Sequence, residues 1–203
     1  AYAQKEDLAL KHIDANTTTY AEAAMQIWNF AELGYQEYQS SALLQKTLKD
    51  AGFQISTGFA GMPTAFIAEY GSGKPIIGIL GEYDALPGLS QAIVPEEKPI
   101  EAGEPGHGCG HHLFGVGSAA AAIAVSEWLT KTKTTGTIRY YGTPAEEGGG
   151  GKTYMVKAGM FDDVDAVLHW HPSNNNSANA SSSLANKSAK FRFYGTSAHA
   201  AGA

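Results

Sequence analysis

The stretch Pro75-Ile76-Ile77-Gly78-Ile79-Leu80 is an uninterrupted apolar run in a chain of 203 residues. A strand with one face in water alternates apolar and polar residues, whereas a strand covered on both faces is apolar throughout. The turn sequence Gly71-Ser72-Gly73-Lys74 precedes this run and connects it to another strand-like run, Thr64–Tyr70. The sequence therefore predicts a sheet whose central strand lies between two layers of helices.

The segments on either side of this strand alternate between helical and strand periodicity. Apolar periodicity predicts helices at about 5–33, 40–51, 113–129 and 153–158, and strands at 137–141, 166–169 and 187–194. The last of these strands alternates and should have one face in water. Helices that alternate with apolar strands indicate an α/β fold, with the sheet covered on both faces.

Composition narrows the function classes. The 43% hydrophobic content is sufficient for a core without disulfides, and the net charge of −6 disfavours nucleic acid as a partner. The longest apolar stretch, Gly115–Val125, is too short to span a membrane and predicts a buried helix. The single cysteine, Cys109, excludes an internal disulfide. The compartment stays open between the cytoplasm and the periplasm or secretion.

A glycine-rich segment carries metal-binding side chains just before the predicted helix at 113–129. Cys109 and His111 are ligands that suit a transition metal, and the flanking glycines allow backbone turns that aim both at one point. The helix start should also favour a thiolate at Cys109. The alternative is a buried free cysteine beside surface histidines.

A carboxylate pair, Glu146-Glu147, follows the strand predicted at 137–141 and precedes four glycines. Ligands gather beyond the carboxyl ends of strands in open α/β sheets. Adjacent carboxylates repel each other, and a metal resolves this if one binds it while the other acts as a base. The alternative is a solvated acidic loop, which is how we interpret Glu96-Glu97.

Two further clusters lie at strand ends. His169 and His171 would share a face if their strand continues, and only one of them need be a metal ligand. The alternative for each is a core histidine. Asp84 follows the most apolar strand and could orient a ligand histidine, although an ordinary turn would also explain it.

Together the motifs resemble those of the M20 metallopeptidase family. The similar branch is the amidohydrolase group that includes aminoacylases, auxin-conjugate hydrolases and aminobenzoyl-glutamate hydrolases. The motifs occur in the family's order and spacing, and they are Gly81-Glu82-Tyr83-Asp84-Ala85-Leu86-Pro87, Gly108-Cys109-Gly110-His111, Thr143-Pro144-Ala145-Glu146-Glu147-Gly148-Gly149-Gly150-Gly151 and Leu168-His169-Trp170-His171-Pro172. The resemblance implies a three-layer αβα catalytic domain interrupted by a lid and dimerisation domain, and hydrolysis of amide bonds.

The resemblance also implies a metal centre. Cys109 would bridge two divalent metal ions, and His111, Glu147 and His171 would be further ligands. Zinc is the expected metal because of the thiolate, with manganese or cobalt as alternatives. Glu82 stands where other branches have a histidine ligand. We expect it outside the ligand set, with a ligand role left open.

Three residues would act in catalysis by the same resemblance. Glu146 would be the general base, Asp84 would hold and polarise a metal ligand, and His199 would reach the active site of the partner subunit in a homodimer to stabilise the oxyanion. The substrate would be a small N-acyl amino acid, an aminobenzoyl-glutamate-like compound or a peptide. Neither nucleic acid nor a membrane is expected as a partner. His112 receives no role.

The resemblance divides the chain at residue 187. Residues 1–186 would form the N-terminal part of the catalytic domain, and residues 187–203 the start of the lid. Family members are roughly twice as long, and one histidine ligand is expected beyond this chain. Two alternatives therefore stay open, namely a catalytically incomplete metal-binding fragment or docking partner, and a carboxypeptidase or dipeptidase of the same family.

Overall fold

The computed structural model describes residues 2–178, 182, 184, 185, 187 and 189–195. Two units, residues 1–172 and 173–203, are distinguished, and the helices and strands of the described residues all fall in the first. The elements are α1 (Tyr2–Phe30), α2 (Tyr38–Asp50), β1 (Gln54–Thr57), a 3₁₀ turn (Phe59–Gly61), β2 (Phe66–Ser72), β3 (Ile76–Gly81), α3 (His111–Thr132), β4 (Gly136–Gly142), α4 (Glu146–Gly149), α5 (Gly151–Lys157) and β5 (Ala166–Leu168).

The five strands form one mixed sheet in the order β1-β2-β4-β3-β5. The strands β3, β4 and β5 are parallel, and β2 runs antiparallel to both β1 and β4. Gly81 is in register with Gly142, and Ile79 with Leu168, so the three parallel strands end at the same edge. The segments that follow them therefore start close together in space.

Helices cover both faces of this sheet, as the sequence predicted for an α/β fold. Phe66, Ile79 and Tyr140 lie in the core cluster that also contains residues of α1, α2 and α3. On the other face, Tyr141 packs with Met155 of α5 in a second, smaller cluster. Successive side chains of a strand point to opposite faces, which is why the neighbours Tyr140 and Tyr141 belong to different clusters.

The helix α3 is the centre of the larger core. By length and composition it could cross a membrane, and just over half of its most apolar window, 56%, is buried inside the protein. It packs against α1 and against β3 and β4, with Ala119 and Ala122 completely buried. Alanine at these positions allows helix and sheet to approach closely, so the apolar character is explained by core packing.

The strand β5 is short and lies at one end of the sheet. Three register pairs hold it against β3, beginning at Ile77 and Ala166, and its opposite edge pairs with no described strand. Val167 and Leu168 are 42% and 57% exposed. The strand that carries the histidine motif is therefore an edge strand.

Two strand predictions differ from the structure. The polar strand β1 was not predicted, because Gln54–Thr57 has no apolar periodicity and pairs with β2 at the sheet edge. A strand was predicted at 187–194, but residues 187 and 189–194 form no strand where they are described. Phe191 and Phe193 are more than 80% exposed, so neither packs against the described part of the chain. The domain boundary at 186/187 stays a prediction.

A buried carboxylate connects the α1–α2 link to the segment after β4. Glu37 is completely buried, its Oε1 accepts a 2.8 Å hydrogen bond from the Ala145 N–H, and its Oε2 accepts one from the Thr64 hydroxyl at 2.9 Å. Burial raises the pKa of Glu37. Ala145 has a left-handed φ of 56°, which is uncommon for a residue with a side chain. The Glu37 contact therefore fixes the backbone immediately before Glu146.

Replacing Glu37 by alanine is expected to lower the free energy of unfolding by about 2–5 kcal/mol, since two buried donors lose their acceptor. Urea unfolding monitored by circular dichroism measures this change. The control is Glu22→Ala, which removes an exposed carboxylate on α1 and should leave stability nearly unchanged. Equal stability of the two variants would contradict the anchoring role.

Candidate metal centre

Four short segments meet at the edge where β3, β4 and β5 end. Residues 82–84 follow β3, residues 146–147 follow β4, and residues 169–171 follow β5. Residues 109–111 lie at the start of α3, which connects β3 to β4. Because β3, β4 and β5 are parallel and in register, these segments bring their side chains together at one edge.

His111 is the centre of this arrangement and is completely buried. Its Nδ1 lies 2.8 Å from Oδ1 of Asp84 and 3.1 Å from the Asp84 carbonyl oxygen. An imidazole that donates its Nδ1–H to a carboxylate is left with a lone pair on Nε2. His111 therefore presents Nε2 to the surrounding acidic groups.

Asp84 also contacts the carboxylate pair after β4. Its Oδ2 accepts a 2.8 Å hydrogen bond from the backbone N–H of Glu147, and Asp84 is 1% exposed. One carboxylate thus holds the ring of His111 with one oxygen and the turn at Glu147 with the other. The contact fits the predicted orienting function of Asp84, which stays a prediction.

The sulfur of Cys109 and the imidazole of His171 lie next to the imidazole of His111. Sγ of Cys109 lies 3.4 Å from Nε2 of His171, and donor atoms of Cys109, His111 and His171 all lie within 4.8 Å of one another. Oε1 of Glu147 lies 4.0 Å from Nε2 of His111. Three predicted ligands, with the fourth beside them, could therefore hold a metal ion together.

The thiol itself is not predisposed to ionise without a cation. Burial, followed by the nearby carboxylates of Glu147, Glu146 and Glu82, raises the pKa of Cys109 to about 11. The prediction that the helix start would favour a thiolate does not hold for the metal-free chain, in which burial and these negative charges favour the protonated thiol. A bound metal would displace the thiol proton.

Two more carboxylates, those of Glu82 and Glu146, lie near the same nitrogen of His111. Oε2 of Glu82 lies 2.9 Å from Nε2 of His111, and Oε2 of Glu146 lies 3.9 Å from the same nitrogen. Glu82, His111 and Glu146 form a second group whose donor atoms lie within 4.8 Å of one another. The other oxygen of Glu82, Oε1, is paired with the ammonium of Lys152.

Three buried polar atoms of this centre that could bind a metal have no hydrogen-bond partner within the part of the chain that the structure describes. They are Nε2 of His111, Oε2 of Glu82 and Oε1 of Glu147. The close approach of Glu82 to His111 lacks hydrogen-bond geometry. Unsatisfied buried polar atoms are costly, and a cation between them would satisfy all three.

The electrostatics of the centre also favour a cation. Lys152 supplies one positive charge against four carboxylates, namely those of Glu82, Asp84, Glu146 and Glu147. Burial would lower the pKa of His111, but the carboxylates of Asp84 and Glu82 outweigh burial and raise it to about 10. Burial would raise the pKa of Glu82, but His111 and Lys152 lower it to about 2. A metal ion at Nε2 would meet the same demand for positive charge as a proton, so the donor set fits a divalent metal.

Two histidines that the sequence left without a ligand role, His112 and His169, have different surroundings. His112 is buried against Trp28, with ring centroids 4.9 Å apart, and is therefore a core residue. His169 lies on the Glu82 side, with Nε2 3.7 Å from Oε1. His199 is outside the described residues. The sequence analysis did not identify Lys152, which pairs with Glu82. Its position directly after the glycine run was the one signal that could have indicated it.

Comparison with known proteins agrees with this geometry. Residues 78–198, more than half of the chain, match the family described as peptidase family M20/M25/M40. The chain belongs to this family. The match includes all four segments of the centre and confirms the family and fold class predicted from the motifs.

Two curated proteins similar to this chain are named as a hydrolase subunit and a dipeptidase. One subunit of the p-aminobenzoyl-glutamate hydrolase of Escherichia coli K12 is 48% identical over 190 residues, which are 93% of this chain and 40% of that protein. The mouse Xaa-Arg dipeptidase is 31% identical over 95% of this chain and 44% of its own length. The chain therefore spans less than half the length of these curated relatives.

A solved M20 structure resembles this chain as well. The dinuclear metal-binding peptidase from Bacillus subtilis has a TM-score of 0.63 and 25% sequence identity, covering 79% of this chain and 44% of that one. The prediction of a metal-dependent hydrolase is thus consistent with the family match and with this solved structure. The chain also carries residues that could hold a metal ion.

Replacing Asp84 by asparagine is expected to weaken metal binding about 10–100-fold, since the residue that fixes a ligand histidine typically contributes that much. Competition with a chromophoric chelator measures the affinity. Asp162→Asn, at an exposed position after α5, is the matched control. Unchanged affinity in Asp84→Asn would show that the ring of His111 is oriented without it.

Proposed function

We propose that this chain carries the metal-binding part of a hydrolase that cleaves amide bonds in small N-acyl amino acids or aminobenzoyl-glutamate-like compounds. The observation that supports this most is the convergence of Cys109, His111 and His171 beside a buried nitrogen, Nε2 of His111, that has no hydrogen-bond partner among the described residues. Membership of the M20 family gives the reaction class. Since the chain spans less than half of its relatives, the activity of the whole protein is part of the proposal.

The ligands of two divalent metal ions would be Cys109 as the bridge, with His111, Glu147 and His171. Zinc is the first choice because a thiolate is present, with manganese and cobalt as alternatives. When bound, the metals would lower the pKa of the attacking water and polarise the amide carbonyl. Glu147, whose side chain is 17% exposed, is more enclosed than Glu146 at 45%, which supports Glu147 as the ligand and Glu146 as the base.

Glu146 would carry the proton through the reaction. Its carboxylate takes a proton from water as the water oxygen attacks the amide carbon. When the carbon–nitrogen bond breaks, Glu146 gives this proton to the departing amine, so the products are a carboxylic acid and an amine. His199, carried over from the family resemblance, would stabilise the oxyanion in the partner subunit.

Two substrate classes are distinguished by the relatives' names. The E. coli relative at 48% identity belongs to a hydrolase of p-aminobenzoyl-glutamate, which favours N-acyl amino acids. The mouse relative at 31% identity is a dipeptidase, which favours peptides as the alternative. Assays of p-aminobenzoyl-glutamate, N-acetyl amino acids and Xaa-Arg dipeptides on the same protein separate the two classes, because the better substrate has the higher kcat/KM.

A non-enzymatic role is the other alternative. The chain could bind metal incompletely, or dock with a longer protein. The E. coli relative is named as one subunit of its enzyme, which supports assembly, and we propose a homodimer for the full-length protein. Light scattering of the purified protein determines its oligomeric state. If the protein is a monomer, His199 of a partner subunit cannot take part in catalysis.

Replacing Glu146 by glutamine is expected to retain the bound metal and to reduce kcat about 10²–10⁴-fold, because the proton carrier is lost. Metal content by mass spectrometry and amide hydrolysis are measured on the same sample. The matched control is Glu96→Gln, which changes an exposed carboxylate in the long loop. Wild-type turnover in Glu146→Gln would overturn the assignment of the base.

Replacing Cys109 by alanine should remove at least half of the bound metal, because a bridging ligand contacts both ions. Elemental analysis of dialysed protein and the hydrolysis assay together test the whole proposal. Metal without hydrolysis in the unaltered chain would support the metal-binding fragment. Absence of metal from the unaltered protein would overturn the metal centre.

A further inference from the structure

The side chain of Glu82 is enclosed in the candidate metal centre although the expected ligand set does not include it. It follows β3 directly, and its side chain is 2% exposed. Carboxylates are rarely buried so completely unless they are paired or bind a cation. The two oxygens of Glu82 have different surroundings, and these surroundings indicate different functions.

The first oxygen is fully engaged by a lysine. Oε1 pairs with the ammonium of Lys152, which belongs to α5 and whose side chain is 27% exposed. The ring nitrogen Nε2 of His169 lies 3.7 Å from the same oxygen. The pair connects the end of β3 to the helix that follows the glycine run, and so fixes the direction in which the carboxylate points.

The second oxygen has no such partner. Oε2 lies 2.9 Å from Nε2 of His111, but neither atom makes a hydrogen bond in the described part of the chain. Nε2 is the ring atom left for a metal, because Nδ1 is held by Asp84. Two buried polar atoms that face each other without a hydrogen bond are costly, and a cation that contacts both would satisfy both.

We infer that Glu82 is an additional ligand of the metal ion that His111 binds, using Oε2, while Lys152 holds Oε1 and restricts Glu82 to binding through one oxygen. This rests on the proposed metal centre. Carboxylate oxygen is an accepted ligand of zinc beside nitrogen and sulfur. The assignment leaves Glu146, the more exposed carboxylate of the second donor group, as the base.

The first test is the affinity of the protein for Zn²⁺ and Co²⁺, measured by equilibrium dialysis with mass spectrometry. Glu82→Gln is expected to bind one ion at least about 100-fold more weakly. Residues that only hydrogen-bond to a metal ligand typically contribute about 10–100-fold, so a direct ligand should reach or exceed the upper end of that range. The matched control, Glu97→Gln, changes an exposed carboxylate and should bind as the unaltered protein does. Wild-type affinity in Glu82→Gln would overturn the inference while leaving the metal centre intact.

The spectrum of the Co²⁺ protein separates this inference from the proposal on which it rests. The absorption of a cobalt–thiolate bond reports Cys109, and the visible ligand-field bands report the number and type of ligands. Glu82→Gln should retain the thiolate band and shift the ligand-field bands. Absence of any thiolate band in the unaltered protein would instead overturn the proposed metal centre.

Lys152 provides an independent test. Lys152→Met leaves a buried carboxylate without its counter-charge in the metal-free protein, and the metal then supplies the missing positive charge. Added Zn²⁺ should therefore raise the Tm of Lys152→Met more than that of the unaltered protein or of Lys157→Met, an exposed lysine on the same helix. An equal rise in all three would contradict contact between Glu82 and the metal.

A crystal structure of the Zn²⁺-loaded protein decides the question even if a variant fails to fold. A distance of about 2.0–2.2 Å between Oε2 of Glu82 and a zinc ion is expected for a direct bond. An ordered water between the two atoms would overturn the inference.

Discussion

The contact on which the site depends is the buried carboxylate of Asp84, shared between the ring of His111 and the backbone of Glu147. The two partners come from different parts of the chain, one at the start of α3 and one after β4. A single acceptor group with two fixed oxygens therefore sets both the orientation of an imidazole and the path of an acidic turn. This geometry requires that β3 and β4 be parallel and end in register, so that Asp84 and Glu147 follow strands at the same sheet edge.

A second buried carboxylate, that of Glu37, holds the same turn. Glu37 holds the N–H of Ala145, two residues before Glu147, and the hydroxyl of Thr64. The residues before and after the proposed base Glu146 are thus each held by a buried carboxylate, and the contact with Glu37 maintains the left-handed Ala145. Strained backbone is retained at functional sites when the surrounding contacts determine it. The four glycines that follow give the chain room to turn into α5.

How far the sequence could predict this arrangement depended on the range of the interactions involved. The apolar strand at Pro75–Leu80 and the polar clusters after successive strands are local signals, and they led correctly to the α/β fold and to an edge where the clusters meet. The family motifs added the candidate ligands. The pairing of Lys152 with Glu82 depends on how the glycine run folds back, which no local pattern encodes. The thiol of Cys109 was misjudged because the helix start is visible in the sequence, whereas burial and the carboxylates around the sulfur are properties of the assembled fold.

The short edge strand β5 makes the position of His171 sensitive to pairing. Three residues align with β3, and the histidine motif begins immediately afterwards. A slip of one residue would turn every side chain of the segment to the opposite face. Trp170 opposes such a slip, because its indole N–H donates to the Ser118 hydroxyl at 3.0 Å and its ring packs on Phe114. An aromatic residue between two histidines thereby fixes the register of the segment, so the position of the candidate ligand His171 depends on a side chain that is not itself a candidate ligand.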